Sequence, residues 1–234
     1  MIKTKNAYLK TLLLLVLTVV LTSCSSTKLS GSWNKEGYAY NTQADLLVYA
    51  RSENIDIRQQ YENNLVSNLT KGKVSSKAAN VVFKDLKEKE NMTEEEGKVL
   101  VKTIMDRGFD RAFVMFLKDT RVNYVRDNRK EGSSNYQISP NRKGISFTDS
   151  YSVNSIEYIS QGPSKRGPDD EVEIPNIEKY NTYIIEGLLY DLKENYQDQL
   201  VAVYEIEVQE PATPFEILES VIGIFSKELK KLDK

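Results

Sequence analysis

The chain has 234 residues, with 32 Lys and Arg against 34 Asp and Glu, one cysteine and no histidine. The absence of histidine excludes His general bases, Ser–His and Cys–His catalytic pairs, and His-bound metal sites. The nearly balanced charge argues against a nucleic-acid partner, because nucleic-acid binding needs a concentrated basic surface.

The first 23 residues have the three parts of a secretory signal peptide. Three lysines lie within the first ten residues, an apolar run covers 12–21, and two small residues precede Cys24. A run of about ten residues is half of the roughly 20 that a membrane-spanning helix needs. This order predicts a cleaved signal peptide over 1–23. An uncleaved anchor, or a secreted protein with an unmodified cysteine, is the alternative.

The cysteine directly after this segment makes it resemble a bacterial lipoprotein signal. The resemblance implies cleavage before Cys24 and acyl chains on Cys24, which would anchor the protein to a membrane. Neither an Asp nor an acidic cluster follows Cys24. The resemblance therefore implies the outer membrane, with the protein facing the periplasm. We expect residues 24–41 to form the acylated N-terminus and a tether, and 42–234 to form one domain.

Strand and helix patterns alternate over the first half of that domain. Apolar runs predict strands at 45–51 and 112–117, and a weaker pattern, interrupted by Ser75, Ser76 and Lys77, predicts a strand between them at 73–79. Apolar residues at every fourth position predict a helix over 55–71, and the capping-box pair Thr93 and Glu96 opens a second helix over 93–107. The run at 112–117 is typical of a central strand covered on both faces. This order predicts an α/β (α+β) fold with about three helices packed on a mixed sheet.

Composition changes at 121–173, where hydrophobic residues become sparse and Ser, Asn, Gly, Lys and Arg increase. Alternation within 146–159 and turn residues at 161–170 predict extended β-hairpins that project from the domain. Two further strands are predicted at 181–191 and 199–208.

The last predicted element is a C-terminal helix. Thr213 is the predicted N-cap, followed by a proline at the first helical position and by Glu216 three residues after the cap. Its predicted apolar stripe consists of Phe215, Leu218, Ile222, Phe225 and Leu229. For the helix predicted over 93–107, the buried face is predicted to consist of Val99 or Leu100 together with Ile104.

We assign no catalytic, cofactor-binding or metal-binding residue and expect no cofactor; Cys24, for lipidation, is the one assigned site residue. The acidic group Asp169, Asp170, Glu171 and Glu173 lacks the glycine and the spacing of a calcium loop. Lys165 and Arg166 beside it could meet an acidic partner or lipid headgroups. Glu94, Glu95 and Glu96 lie at a helix start, where carboxylates interact favourably with the helix dipole.

Three further groups of residues have a simple structural interpretation, and for the tyrosines a functional interpretation stands beside it. Arg58 and Glu62, four residues apart on a helix, predict a surface ion pair. The charged group Asp106, Arg107, Asp110 and Arg111 predicts ion pairing in a turn around Gly108. The 14 tyrosines indicate either cross-strand packing or a recognition surface.

The order of elements resembles a broad group of bacterial envelope lipoproteins. These have a small α/β domain similar to the N-terminal domain of TolB and to ABC-transport auxiliary lipoproteins. The segments 184–208 and 211–232 are also similar to the end of DUF4136-like lipoproteins. The resemblance implies a periplasmic accessory or binding module, and it assigns no functional residue.

These features predict a non-catalytic lipoprotein that acts as an interaction or assembly module for an envelope complex. It would be attached to the membrane through lipid on Cys24, and an envelope protein would be its partner. The alternative is a binding protein for a small envelope ligand, a lipid or a glycan, which predicts an apolar pocket. An enzyme is the least favoured class, since it would need two carboxylates converging in a cleft.

Overall fold

The computed structural model describes residues 27–38, 40, 45–84, 92–126, 156, 177–211 and 213–232. Residues 122–126 and 177–179 are described by their backbone alone. The predicted signal peptide at 1–23, Cys24 and most of the predicted hairpin region at 121–173 lie outside these residues.

Six strands form one mixed sheet in the order β1-β6-β5-β4-β2-β3. They are β1 (Thr27–Asn34), β2 (Asp45–Ala50), β3 (Ser76–Ala78), β4 (Phe109–Arg126), β5 (Ile177–Asp191) and β6 (Leu200–Gln209). β2 pairs in parallel with β3 and β4, whereas β4, β5, β6 and β1 pair antiparallel in succession. The predicted α/β (α+β) fold with a mixed sheet is confirmed.

The helices of the described residues are α1 (Ile55–Lys71), α2 (Ala79–Val82), α3 (Glu94–Asp106) and α4 (Leu218–Lys231). The side chain of Asn54 caps α1 by accepting from the backbone N–H groups of Asp56 and Ile57. Thr93 and Glu96 form the predicted capping box of α3. Gly108, with φ +91, follows the end of α3 in a conformation that favours glycine.

The sheet has an apolar layer on each face. The first layer joins the sheet to α1 and α4, and includes Phe113 and Met115 of β4. The second layer joins it to α2 and α3, and includes Val114 and Phe116. Because alternate residues of a strand point to opposite faces, β4 contributes to both layers, as its unbroken apolar run predicts.

Buried tyrosines lie in both layers. Tyr49, Tyr61, Tyr183, Tyr190 and Tyr204 are almost fully buried. For these five residues, the structure supports the packing interpretation of the abundant tyrosines rather than a recognition surface.

The structure places a strand where the sequence predicted part of a tether. Residues 27–34 form β1, which pairs with β6 from Thr27 opposite Val208 to Asn34 opposite Ala202. Most side chains of β1 are exposed, so the strand is held by backbone hydrogen bonds and shows no apolar alternation. A pattern-based prediction has no signal for such an edge strand.

The start of the C-terminal helix also differs from the prediction. Thr213 does accept from the N–H of Glu216, at 3.3 Å, but residues 214–217 form turns and α4 begins at Leu218. The carbonyl of Pro214 accepts the hydroxyl of Tyr61 at 2.7 Å, and the N–H of Leu218 donates instead to Phe215. Phe215 is consequently exposed and is not part of the predicted apolar stripe.

On α3, Val101 and Ile104 are the buried apolar residues and Val99 is exposed. Leu100, the other predicted position, is partly buried against the second layer.

Candidate functional site

At one end of the sheet, three antiparallel pairings bring together residues of four strands, and β1 begins at this end shortly after Cys24. Thr27 begins β1 opposite Val208, and Gln209 ends β6 opposite Thr182 of β5. Thr182 in turn faces Arg121 of β4. We call these five residues the proximal end of the sheet, and the β5–β6 turn at 192–199 the distal end.

The first turn of α4 also lies at the proximal end. The Ser220 hydroxyl donates to the hydroxyl oxygen of Thr27 at 3.1 Å. The position of Thr27 is therefore fixed both by pairing with β6 and by a helix of the first apolar layer.

Two strands continue beyond the proximal end. β6 ends opposite Thr182, but β4 and β5 remain paired from Val122 opposite Asn181 to Arg126 opposite Ile177. We call this two-stranded extension, residues 122–126 and 177–181, the ribbon. The first ribbon residue directly follows Arg121, so the ribbon forms the base of the predicted hairpin region 121–173. The rest of that region lies outside the described residues, apart from Ile156.

A buried ionic cluster lies within the sheet, four residues before the ribbon on β4 and five residues after it on β5. Glu186 and Glu205 are directly opposite each other on β5 and β6, and both side chains are almost fully buried. Lys118 lies at a register shift between Leu117 and Asp119. Its ammonium is 3.0 Å from Glu186 and also contacts Glu205. The cation offsets the repulsion that two facing carboxylates would otherwise have.

The charged character of this face continues toward the sheet edge, where Lys28 pairs with Glu207 at 3.3 Å. The alternation of residues along β6 already predicts from the sequence that Glu205 and Glu207 share one face of the strand. Only the pairing of β4, β5 and β6 in the folded sheet brings Lys118 and Glu186 close to them. This cluster is the group of functional-type side chains that sequence reasoning missed.

The prediction that Arg58 and Glu62 form an ion pair on the surface is wrong about where the pair lies. The pair exists, with 3.0 Å between Arg58 Nε and Glu62 Oε1, but both side chains are buried. The Glu62 carboxylate also accepts from the N–H of Ala50 at 3.1 Å and from the backbone and side-chain nitrogens of Asn80, both at 2.6 Å. The Arg58 guanidinium lies 4.9 Å from the centre of the Tyr49 ring.

Burial raises the pKa of Glu62, while Arg58 and the backbone donors of Asn80 and Ala50 oppose that rise. Geometrically, the carboxylate connects α1 to the end of β2 and to α2. This arrangement suits a structural role, because every contact named joins two parts of the fold.

The charged residues around Gly108 do not form one site. Asp106 pairs with Lys102 and Asp110 pairs with Lys193. The two arginines stack on aromatic rings, with Arg107 4.7 Å from the Phe83 centroid and Arg111 4.3 Å from that of Tyr40. The predicted ion pairing is present, but the partners of both aspartates come from elsewhere on the surface.

Several candidate residues lie outside the described part of the chain: Cys24, Lys165, Arg166, Asp169, Asp170, Glu171 and Glu173. Glu94 pairs with Lys98 in the first turns of α3. Among the residues that the structure describes, no group of three His, Cys, Asp or Glu side chains is placed to hold a metal ion. None of the helices described is both long enough and apolar enough to cross a membrane.

Comparison with known proteins gives a distant structural likeness. No protein-family model matches the sequence, and no curated protein matches it. Among solved structures, two PelC dodecamers from Paraburkholderia phytofirmans are similar, one of them a single-residue variant. Each has 10% sequence identity and a TM-score of 0.37, covering 86% of this chain and 98% or 96% of the PelC chain. At these values the likeness supports no inference about function.

Proposed function

We propose that this chain is a non-catalytic lipoprotein that serves as an interaction or assembly module for an envelope complex. Lipid on Cys24 holds it in the outer membrane, and the domain faces the periplasm. The basic start, the short apolar run and the small residues before Cys24 support the anchor.

The observation that carries the interaction role is the insertion between β4 and β5. The described pairing of β4 with β5 extends to Arg126 opposite Ile177, and residues 127–176 connect these two strands in the sequence. A short turn is sufficient to join two adjacent antiparallel strands, and longer connections often carry recognition residues. Ile156 departs from the prediction that this region projects from the domain: it is fully buried in the first apolar layer, and its N–H donates to the Arg51 carbonyl at 2.9 Å. In this proposal the insertion contacts an envelope protein.

The buried charges support a non-catalytic role. Lys118 pairs with Glu186 and Glu205, and Arg58 pairs with Glu62. Arg58 and Glu62 offset each other's charge within the fold, which is typical of structural ion pairs. In the other group one ammonium contacts two carboxylates and offsets one of their two negative charges. The alternative function, a binding protein for a lipid or a glycan, stays a prediction that rests on the sequence alone.

The anchor is tested with Cys24→Ser. Cells are fractionated, and the protein is labelled with a palmitate analogue. We expect the variant to lose both the label and its membrane association, because Cys24 is the only cysteine. Unchanged labelling and association would contradict the proposal.

The interaction role is tested by replacing residues 162–170 with a short Gly/Ser turn. Loop length has a small entropic cost, so the melting temperature of the variant should stay close to that of the wild type. Crosslinking in intact membranes, followed by quantitative pull-down, should capture less of the envelope partner. Lower stability with unchanged capture would show that these residues are part of the scaffold.

A further inference from the structure

The position of the proximal end sets a limit on how far the domain can stand from its anchor. Thr27 lies three steps along the chain after Cys24, and each step spans at most about 3.6 Å. The Cα atom of Cys24 therefore lies within about 11 Å of Thr27. Since Thr27 is paired with Val208 and bonded to Ser220, this limit applies to the folded domain.

The ribbon extends farther in the same direction than the anchor can reach. It continues the β4–β5 ladder by five pairs, from Val122–Asn181 to Arg126–Ile177. At about 3.4 Å per residue it is about 17 Å long. If the strands stand with the proximal end toward the bilayer that holds the acyl chains on Cys24, the ribbon reaches the headgroup layer, because it extends farther than the distance of at most about 11 Å between Cys24 and Thr27.

The composition of the ribbon suits a lipid headgroup surface. Its sequence contains two basic residues, Arg126 and Lys179, against one acidic residue, Glu178, together with Tyr124 and Tyr180. Tyrosine is enriched at membrane interfaces, and Arg and Lys interact favourably with phosphate groups there. The segment from the end of β6 to the first turn of α4, at the same end of the sheet, instead exposes Glu210, Glu216 and Glu219.

We propose that the ribbon contacts the headgroups of the bilayer that holds Cys24, and that the distal end points away from the membrane. This inference rests on the lipid anchor proposed above and deepens it. Its consequence is that the chain enters and leaves the segment 127–176, at Arg126 and Ile177, close to the membrane surface.

The test uses the full-length lipidated protein in vesicles of phosphatidylethanolamine and phosphatidylglycerol. An environment-sensitive fluorophore is attached to Asn123→Cys in the ribbon or to Gln197→Cys in the exposed distal turn. A nitroxide on the lipid headgroup quenches fluorophores near the membrane surface. We expect quenching at position 123 to be several-fold stronger than at position 197. Equal quenching, or the reverse order, would overturn the proposal.

Flotation of the same vesicles separates the two proposals. Protein that does not float shows that the anchor has failed, and with it the proposed function. Protein that floats but is unquenched at position 123 shows that the anchor stands while the ribbon lies away from the headgroups, which overturns the inference. Each labelled variant must melt like the wild type; if Gln197→Cys does not, the exposed Asn195 of the same turn replaces it.

A charge reversal tests the basic side chains. Arg126→Glu combined with Lys179→Glu should lower quenching at position 123 several-fold in these anionic vesicles. The matched control is Lys71→Glu combined with Lys227→Glu, two exposed positions on α1 and α4 outside the ribbon. It changes the net charge by the same amount and should leave the quenching unchanged. Equal effects of the two changes would overturn the headgroup contact of the ribbon.

Discussion

At the scale of single residues, two ion pairs with the same helical spacing differ in what surrounds them. Arg58 and Glu62 are four residues apart on α1 and buried, whereas Lys102 and Asp106 are four residues apart on α3 and exposed. Exposed pairs contribute little because water screens them, but a buried charge that loses its partner is strongly destabilising.

We therefore expect Glu62→Ala to lower the free energy of unfolding by about 3–5 kcal/mol, since it leaves Arg58 buried without this carboxylate. The control Asp106→Ala should lower it by less than about 0.5 kcal/mol. Denaturant unfolding measures both. Similar values for the two variants would show that the Glu62 network adds no more than a surface pair.

Two glycines provide a second comparison at this scale. A methyl group on Gly187 of β5 would lie 2.4 Å from the Phe113 ring and 2.7 Å from that of Phe225. Both rings are fully buried, so they cannot move without disturbing the first apolar layer. A methyl group on Gly223 of α4 would meet nothing within 4 Å.

Gly187→Ala should accordingly destabilise the protein by about 1–3 kcal/mol through overpacking. Gly223→Ala should stabilise it by about 0.5–1 kcal/mol through helix propensity. Thermal unfolding of the two variants checks both signs. A neutral Gly187→Ala would mean that α4 packs less closely on β5 than the structure indicates.

At the scale of elements, β4 is the strand on which the fold depends most. It pairs with β2 on one side and β5 on the other, and its side chains enter both apolar layers. Substitution on either face of β4 thus reaches a buried layer.

Phe116→Asp should prevent stable folding, because an unpaired carboxylate in the second layer costs several kcal/mol. Val99→Asp on α3 is the control, since Val99 is 66% exposed. Circular dichroism during heating measures both variants. A soluble Phe116→Asp variant with the wild-type melting curve would refute the central position of this strand.

At the scale of the whole molecule, buried tyrosines connect distant elements. They also make the free energy of unfolding depend on pH in the alkaline range. The Tyr61 hydroxyl on α1 donates to the Pro214 carbonyl before α4. Burial raises the pKa of Tyr61 above its ordinary 10.0, and burial raises that of Tyr204 in the same way. Above about pH 10 the unfolded chain loses these protons while the folded chain keeps them, so the free energy of unfolding falls as pH rises.

Tyr61→Phe should be less stable than the wild type at about pH 8, by about 1 kcal/mol for the lost hydrogen bond. This difference should shrink as the pH rises to about 11, because the variant has no proton to lose at this position. Denaturant unfolding at a series of pH values measures the difference. A constant difference across the series would contradict a raised pKa for Tyr61.

The sequence alone determined the elements whose signal is local. The four-residue apolar spacing predicts α1 over the residues it occupies, Thr93 with Glu96 predicts the start of α3, and the apolar run of β4 predicts a strand covered on both faces. These signals are sufficient because a helix face, a capping box and a doubly buried strand each depend on residues a few positions apart.

Only the tertiary structure decided the features that depend on contacts distant in sequence. β1 exists because β6 supplies its hydrogen bonds, and α4 starts late because Tyr61 binds the Pro214 carbonyl. Arg58 and Glu62 are buried because β2 and α2 cover that side of α1. Lys118 meets Glu186 and Glu205 because the sheet joins three strands. Helical spacing and strand alternation tell which residues share a face, but what covers that face is set by the packing of the whole chain.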